Sequence, residues 1–553
     1  MLAIVTFGCG QQPVGTAQLD VPPAPWLEDV TADVGVQFHH VSGRVGNLRL
    51  PEIMGAGAAL VDVDDDGDLD AYLVQGGRLD GGTGAEQPTD RLFVNTAGPG
   101  RLPRFEDATD RSGIIGSDYG MGVATGDIDN DGDVDLFVAN FGRDRLWSNR
   151  GDGTFEDVTT KAGVSHVGWS ISATFADLDL DGWLDLYVVS YVGYDLTSLR
   201  PCRHSSGAPE YCGPKTYPAV ADRLYRNRGD GTFEDVSSRS GIGNISRPGL
   251  GVVAADFDGD GWIDLYVAND GAPNFLWHNG GGGHFDDRGV EDGCAVDWAG
   301  RSESSMGIAV GDIDGDLDLD LVVTHMDGET NTLYRNHSGS FVDATPGSGL
   351  DRASLRHTSY GVAFVDPDLN GDLDPFVANG AMQLFNAWAP AGSPDPLPEP
   401  DQLLLQRSGV LQEVAEPVLE RWQISRGVAA GDLDDDGAID LLVTSVDGSL
   451  RVLRAQPPAD GRWLGLRIVD AGSGRDLLGA EVVLELADGS HLLRHVHSDG
   501  SYASASDPRV VFGLTGRADP VSVTVRAPGS SRPLVIATPP MGRYTTVSAT
   551  ASR

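Results

Sequence analysis

The chain is short of basic residues. Its 553 residues hold 39 Lys and Arg against 82 Asp and Glu, a formal net charge of −43. So negative a surface repels a phosphate backbone, and nucleic acid is not the expected partner. Long apolar runs are missing too. None approaches the roughly 18 residues of a membrane helix, so no helical span is expected. Cysteine is scarce, with four in the chain. The sequence has no G-x-S-x-G elbow, no P-loop and no H-E-x-x-H. Scattered catalytic groups leave no such signature, so these absences do not exclude an enzyme.

What is present is enough to fold. Hydrophobic residues make up 40% of the chain, which is not the composition of a disordered acidic tail. The length suits two to four domains, or one large repeat domain with a smaller one. Gly is abundant, at 74 residues, about twice ordinary usage, and has no three-residue period. Much Gly beside much Asp predicts many tight turns.

The N-terminus reads MLAIVTFGCGQQP. Its short apolar run lacks a basic flank and resembles the tail end of an export signal. Thr6-Phe7-Gly8-Cys9 loosely resembles a bacterial lipobox, which makes Cys9 a candidate lipid anchor. Residues 1–23 are expected to be a signal remnant or lipoprotein linker. A frayed end with an incidental cysteine is the alternative. Cys202 and Cys212 lie in a Pro/Gly-rich stretch, PCRHSSGAPEYCGP, where export would allow a local disulfide. Two free thiols, or a metal site with His204, are the alternatives. Cys294 has no evident mate.

The strongest signal is a repeat. Seven segments share an apolar strand, then D-x-D-x-[DN], usually Gly, then two residues and Asp, then another apolar strand. Their first acids are Asp62, Asp127, Asp177, Asp256, Asp312, Asp366 and Asp432, at spacings of about 50 to 80 residues. Loop 1 offers Asp62, Asp64, Asp66, Asp68 and Asp70, and loop 2 offers Asp127, Asp129, Asp131, Asp133 and Asp135. Loop 3 has Asp177, Asp179, Asp181 and Asp185, and loop 4 has Asp256, Asp258, Asp260 and Asp264. Loop 5 has Asp312, Asp314, Asp316 and Asp320. Loop 6 has Asp366, Asp368, Asn370 and Asp374, and loop 7 has Asp432, Asp434, Asp436 and Asp440.

Carboxylates at positions 1, 3 and 5, a turn-permitting Gly at 6, a backbone carbonyl at 7 and a closing acid at 9 follow the opening logic of a calcium loop. A hard cation needs six to eight oxygens, and this run supplies most of them. Without a cation, crowded carboxylates repel. Up to seven Ca2+ ions are expected. Plain Asp/Gly turns are the alternative. Loop 5 is the weakest candidate, because Leu317 stands where the turn wants Gly.

Each loop joins two short apolar strands. A third strand follows, as in DRLWSN (144–149) or DRLYRN (222–227), then a fourth headed by Phe105, Phe155, Phe233, Phe285 or Phe341. Four short strands per repeat predict a propeller blade. A similar strand near Leu27-Glu28-Asp29 precedes the first loop, and the last repeat lacks one. Pairing the two would remove an exposed edge and close a seven-bladed β-propeller over residues 24–456. From 457 the acid loops stop. Alternating strands to 553 predict a small antiparallel β domain, in which 501–514 reads as a loop across a sheet face. The fold class is all-β.

These elements resemble the cartilage-acidic-protein family, with integrin-alpha-like FG-GAP/VCBS propellers and a C-terminal ASPIC/UnbV domain. The resemblance rests on Phe38-His39-His40, Leu50-Pro51-Glu52, Met54-Gly55 and Tyr211-Cys212-Gly213-Pro214. In the last domain it rests on Trp463-Leu464, Arg475-Asp476, Gly479-Ala480, Gly500-Ser501-Tyr502, Ser506-Asp507-Pro508-Arg509 and Phe512-Gly513-Leu514. Leu317 departs from the pattern. So does Arg454, read here as standing where earlier repeats have Asn. The resemblance implies an extracellular, periplasmic or envelope-attached protein that binds calcium, with adhesion-type animal relatives.

Three functions follow as candidates: a binding or adhesion module for a protein or glycan, a structural envelope scaffold, and an enzyme with a pocket on the propeller axis. His39, His40, His166, His325 and His357 fall near strand ends, where an axial site would gather them. Arg247, Arg301, Arg356 and Arg426 recur at similar repeat phase and would form an anion-binding ring. Pairing of each Arg with a nearby Asp is the alternative.

Overall fold

The computed structural model describes residues 25–550 apart from 80–86, 99, 115, 117, 198–199, 387, 391, 392 and 394. Cys9 and the candidate leader lie outside the described residues. No helix among the described residues is long and apolar enough to cross a membrane.

The chain is all-β and built from repeats. Among the described residues, strands up to 455 form seven antiparallel four-stranded meanders. The second runs Tyr119–Gly126, Asp135–Arg143, Arg145–Asn149 and Phe155–Asp157. The third runs Val167–Ala176, Asp185–Ser190, Arg223–Asn227 and Phe233–Asp235. These two merge into one curled eight-stranded sheet, because Val167–Trp169 pairs with Phe141–Arg143. The strands form in apolar and β-branched runs between turns; the first two strands of each meander are largely buried on both faces, and the fourth is mostly exposed. The Phe-headed fourth strands appear as expected, including the degenerate Val410–Glu413.

The seventh meander borrows a strand from the other end of the chain. Leu27 pairs with Ala455, Glu28 with Arg454 and Asp29 with Leu453. This is the pairing the strand count predicted. Its register corrects one reading. Ala455 N–H donates to Asp440 at 2.7 Å, as Asn149 N–H donates to Asp135 at 2.8 Å. Ala455, not Arg454, therefore occupies the Asn position. Arg454 matches Ser148 and Arg226, one residue earlier.

The first strand of each meander packs against that of the next. A Cβ on Gly122 would stand 2.2 Å from Ile171 O, and one on Gly251 would stand 2.4 Å from Met306 O. Gly307 meets Tyr360 O, Gly361 meets Arg426 O, and Gly427 of the seventh meander meets Ala56 O beside the first. In the third meander Ser172 holds this place and its hydroxyl donates to Leu250 O at 2.6 Å. No side chain larger than these fits between the backbones. Nothing in the turn pattern pointed to these positions.

The C-terminal domain has two sheets. Glu481–Leu486 lies between His491–His495 and Pro520–Arg526, with Leu534–Ala537 outside. In the other, Trp463–Asp470 pairs antiparallel with Val510–Gly513 but parallel with Tyr544–Ala549. The expectation of a purely antiparallel domain is corrected here. A parallel pair needs a long crossover, and the second sheet supplies it. The domain rests on the acid-loop end of the meanders. Gly529 N–H donates to Gly261 O at 2.9 Å, and Thr515 N–H to Leu369 O at 2.7 Å.

The segment 498–507 leaves this domain and runs among the first strands. Ser501 and Ile308 exchange backbone hydrogen bonds, Ala503 O accepts from Val123, and Ala505 pairs with Ala58 and Leu60. Gly500 N–H reaches Val252 O, and Asp507 N–H reaches Ala430 O. Asp499 accepts from Thr174 and from Ala254 N–H. Tyr502 is fully buried, donates to Met54 O at 2.7 Å, and meets the Tyr360 ring edge-on at 4.9 Å. All seven meanders are thus in contact with one short segment. It was expected to cross a sheet face; instead it fills the centre, joining a cluster with Met54, Tyr119, Trp169, Tyr191, Met306 and Tyr360.

Candidate metal centres

The seven acid loops share one backbone. In each, the position-1 carboxylate accepts from the N–H of positions 5 and 6. In loop 1, Asp62 accepts from Asp66 at 3.2 Å and Gly67 at 3.0 Å. In loop 7, Asp432 accepts from Asp436 at 3.1 Å and Gly437 at 2.8 Å. Loop 5 matches them. Asp312 accepts from Asp316 and Leu317, both at 3.2 Å, and Leu317 takes φ 74° to do so. That strain is real for a branched residue. Position 4 is left-handed as well, with Asp65 at φ 56° and Leu180 at φ 56°. In loop 5 this place is Gly315, φ 80°. Its glycine has moved two positions along the same turn.

The position-9 carboxylate ties the loop to the third strand. Asp70 accepts from Asn95 at 2.7 Å and Asp264 from Asn279 at 2.7 Å, and the other loops do likewise. The third-strand Asn then bridges to the preceding loop. Asn227 Nδ2 donates to Leu184 O at 3.0 Å and to Ile128 O of loop 2 at 2.8 Å. Asn149, Asn279 and Asn336 reach Val63, Leu178 and Phe257 in the same way.

This frame gathers the carboxylates. Ligand oxygens of Asp62, Asp64 and Asp66 lie within 4.8 Å of one another, as do those of Asp127, Asp129 and Asp135, and of Asp177, Asp179 and Asp181. These clusters can hold a metal ion. The Oδ1 atoms of Asp64, Asp179 and Asp434, all at position 3, are buried and without a hydrogen-bond partner. Such oxygens, close together and short of donors, fit a hard cation. Position 7 behaves differently. Asp68 turns to accept from Gly98 N–H at 2.7 Å, away from the loop centre.

Burial raises these carboxyls. It pushes Asp62 and Asp127 up to about 6, Asp256 to about 7, and Asp70, Asp264 and Asp320 to about 8, with neighbouring aspartates adding to it. Backbone N–H donors oppose the rise without cancelling it.

Side chains that the loop pattern did not reveal join some loops. His278 lies 3.4 Å from Asp258 and 3.3 Å from Asp264, and His337 lies 3.4 Å from Asp316. Arg226 pairs with Asp179 and, at 3.0 Å, with Asp181. Arg454 pairs with Asp434 at 2.6 Å and Asp436 at 3.1 Å. Arg407 pairs with Asp368 at 2.8 Å and Arg335 with Asp314 at 3.3 Å. Most of these come from one place, the residue before the third-strand Asn or its equivalent. That alignment was the available signal.

The arginine ring does not form. Arg247 pairs with Asp287 at 2.9 Å over the Phe275 ring, and Arg301 pairs with Asp297 at 2.6 Å. Arg356 lies over Trp388. Arg426 is buried, donates to the carbonyls of Ile53, Gly380 and Ser425, and stacks 3.8 Å from Tyr360. Local partners took each one. No hydrogen bond or ion pair among the described residues joins any two of His39, His40, His166, His325 and His357. Burial pushes His40 and His166 down to about 4 and His325 to about 3, which keeps them neutral.

One cavity at the loop end, of about 230 Å³, is bounded by Asp62, Asp127, Arg467, Arg475 and Arg509. At the other end, the Cys202–Cys212 disulfide closes a hairpin. His204 from it stacks on Phe385 at 4.0 Å, and Glu210 accepts from the N–H groups of Leu384 and Phe385.

Comparison with known proteins agrees with this anatomy. The profile for an FG-GAP-like repeat matches residues 127–188, 215–267 and 256–323, and that for ASPIC and UnbV matches 470–553. Cartilage acidic protein 1 of Xenopus tropicalis is 24% identical over 344 residues, 61% of this chain and 42% of that protein. The Homo sapiens protein of the same name is 34% identical over 87 residues, 16% of this chain and 13% of its own length. The chain therefore spans less than half the length of these relatives. Among solved structures, the BP39L lectin from Burkholderia pseudomallei covers 73% of this chain and 96% of itself at 13% identity, with a TM-score of 0.42. Repeats over the acid loops, the terminal domain match and the curated relatives together make the chain similar to the cartilage acidic proteins, with FG-GAP-like repeats and an ASPIC/UnbV domain.

Proposed function

We propose that the protein is an exported, calcium-built recognition module for a protein or glycan partner. The seven meanders are the blades of a closed propeller over residues 24–456, with an ASPIC/UnbV-like domain at 457–553. The cyclic packing of first strands, Gly427 against Ala56 O included, supports closure. The leader 1–23 directs export, with Cys9 as a lipid anchor.

One observation carries the metal reading. The same strained turn brings carboxylates together seven times, with the position-9 acid buried in every copy, where uncompensated charge is costly. Positions 1, 3, 5 and 9 of each loop would hold calcium: Asp62, Asp64, Asp66 and Asp70 in loop 1, and their equivalents elsewhere. Calcium supplies charge neutralisation. The protein supplies the oxygens and, through position 9 and the third-strand Asn, couples each loop to its neighbour. Stability is then linked to occupancy.

Recognition belongs to the end opposite the loops. There Phe385 and Trp388 are 55% and 45% exposed, backed by His204 and Arg356. Exposed rings over a disulfide-braced base suit stacking on a sugar face or an apolar side chain. The centre, filled by Tyr502 and its neighbours, offers less to an enzyme.

Metal analysis of dialysed protein, with thermal melts in calcium and in chelator, tests the first half. Bound calcium and a higher melting temperature in calcium are expected. A metal-free protein with one melting temperature in both buffers rejects it. Binding to an array of glycans tests the second half. Phe385→Ala with Trp388→Ala should abolish any signal and leave the melt unchanged.

A further inference from the structure

The seven loops are alike in backbone and acids but unlike in the cations beside them. In loop 7 the Arg454 guanidinium spans positions 3 and 5, at 2.6 Å from Asp434 and 3.1 Å from Asp436. In loop 3, Arg226 spans Asp179 and Asp181 in the same way. A planar fork bridging two carboxylates is a strong, oriented contact. It takes the Oδ2 atom of each of two carboxylates that a divalent ion would use, and leaves Oδ1 of Asp179 and Asp434 unpartnered.

The C-terminal domain adds more. Arg509 pairs with Asp435 at 3.0 Å and donates to Asp432 O at 2.9 Å. Loop 6 has Asn370 in place of an acid. Arg407 pairs there with Asp368, Arg517 with Asp372 at 2.6 Å, and Arg494 donates to Gly371 O at 3.0 Å. Arg475 lies 3.8 Å from Asp177 of loop 3.

Loops 1 and 2 differ. The residues matching Arg226 and Arg454 are Val94 and Ser148. Among the described residues no Arg, Lys or His forms an ion pair with an acid of either loop. Their carboxylates crowd together with no guanidinium in ion-pair contact; Arg467, beside Asp62 in the same cavity, pairs with Asp476 at 2.8 Å instead. Crowded like charges need a counter-ion from somewhere.

We propose that the loops divide by cation source. Loops 1 and 2 take a divalent ion, whereas loops 3, 6 and 7 are closed by the protein's own arginines and take none. Loops 4 and 5, with the weaker partners His278, Arg335 and His337, lie between. A fixed guanidinium both offsets part of the cluster's charge and repels an incoming divalent ion, so it replaces the metal rather than joining it. The metal-dependent loops then sit in the N-terminal repeats, and the arginine-closed ones carry most of the contact with the C-terminal domain. The division rests on the metal reading above.

Calcium titration and metal analysis of the full chain and single variants test it. The parent chain should bind two to four ions per chain. Asp129→Asn should lose one and Asp434→Asn none. Arg454→Met should gain one. Should Arg454→Met fail to fold, the contrast between Asp129→Asn and Asp434→Asn decides. Seven ions in the parent chain, or the loss of one on Asp434→Asn, overturns the division and leaves the metal reading standing. No bound ion in the parent chain overturns both.

Discussion

Tyr502 belongs by sequence to the C-terminal domain, yet every contact named for it is with the meanders. Its replacement therefore asks which unit the segment 498–507 stabilises. The ring is fully buried, so Tyr502→Ala opens a cavity worth about 3 to 5 kcal/mol. Met54 O also loses its 2.7 Å donor, at about 1 kcal/mol or more. The terms overlap, and a total near 5 kcal/mol is expected. Tyr502→Phe keeps the ring and removes only the hydroxyl, so about 1 to 2 kcal/mol is expected. In a cooperative unit this large, each kcal/mol moves the melting temperature by roughly 1 to 2 °C, less than in small domains. Tyr502→Ala should thus melt about 5 to 10 °C lower. Calorimetry of the full chain in excess calcium reads both the shift and which transition moves. The main transition, that of the meanders, should move. If only a minor transition shifts while the main one stays, the segment is a passive tenant and this reasoning fails.

Three other perturbations probe the frame. Gly122→Ala would place a Cβ 2.2 Å from Ile171 O and should cost more than about 3 kcal/mol or prevent folding, whereas Gly213→Ala, with nothing within 4 Å, should change stability by less than about 0.5 kcal/mol in the same melt. Asn227→Ala strands the buried carbonyls of Ile128 and Leu184, and denaturant unfolding should register a loss of about 2 kcal/mol; an unchanged midpoint would mean that the bridge between meanders carries no energy. The loop carboxyls make calcium-free stability depend on pH. Asp62, Asp256 and Asp70 rise from the usual 3.8 to about 6, 7 and 8, so the folded chain holds protons that the unfolded chain releases. Stability is then fullest below about pH 4 and falls as pH climbs through 6 to 8, and calcium should flatten the slope. A calcium-free melting temperature that rises from pH 5 to pH 8 would contradict this.

The local chemistry was legible in the sequence because it repeats. An acid loop between two apolar strands returned seven times, so each copy vouched for the rest. Leu27–Asp29 could be matched to Arg451–Ala455 by counting strands, although neither segment is distinctive alone. Where a repeat has decayed, sequence position alone misplaces a residue. Arg454 stands one residue before the Asn position, and the landmark that shows it is the Asp440 carboxylate, which selects Ala455 through a backbone hydrogen bond. The arginines at similar repeat phase misled for a related reason. Phase sets which end of a strand a side chain occupies, not which neighbour it meets, and Asp287, Asp297 and Trp388 met three of them first.

The central segment was illegible for a deeper reason. Ser501, Ala503 and Ala505 present almost nothing but backbone, and backbone pairs with backbone of any sequence. Small residues are the ones that fit where seven glycine- and alanine-rich strands converge, so smallness is what burial there demands. The pattern rules for strands and loops read small and polar as exposed. They fail here because the partners are hundreds of residues away: Ala58 and Ile308 supply the hydrogen bonds that make 498–507 ordered. Tyr502 is the exception that could have been noticed. A single large aromatic among serines and alanines has no reason to lie on a solvated sheet face, and its hydroxyl needed a buried acceptor, which Met54 O provides. The C-terminal domain is thereby fastened twice, at the loop end by arginines and at the centre by the segment 498–507, with Tyr502 its one large side chain.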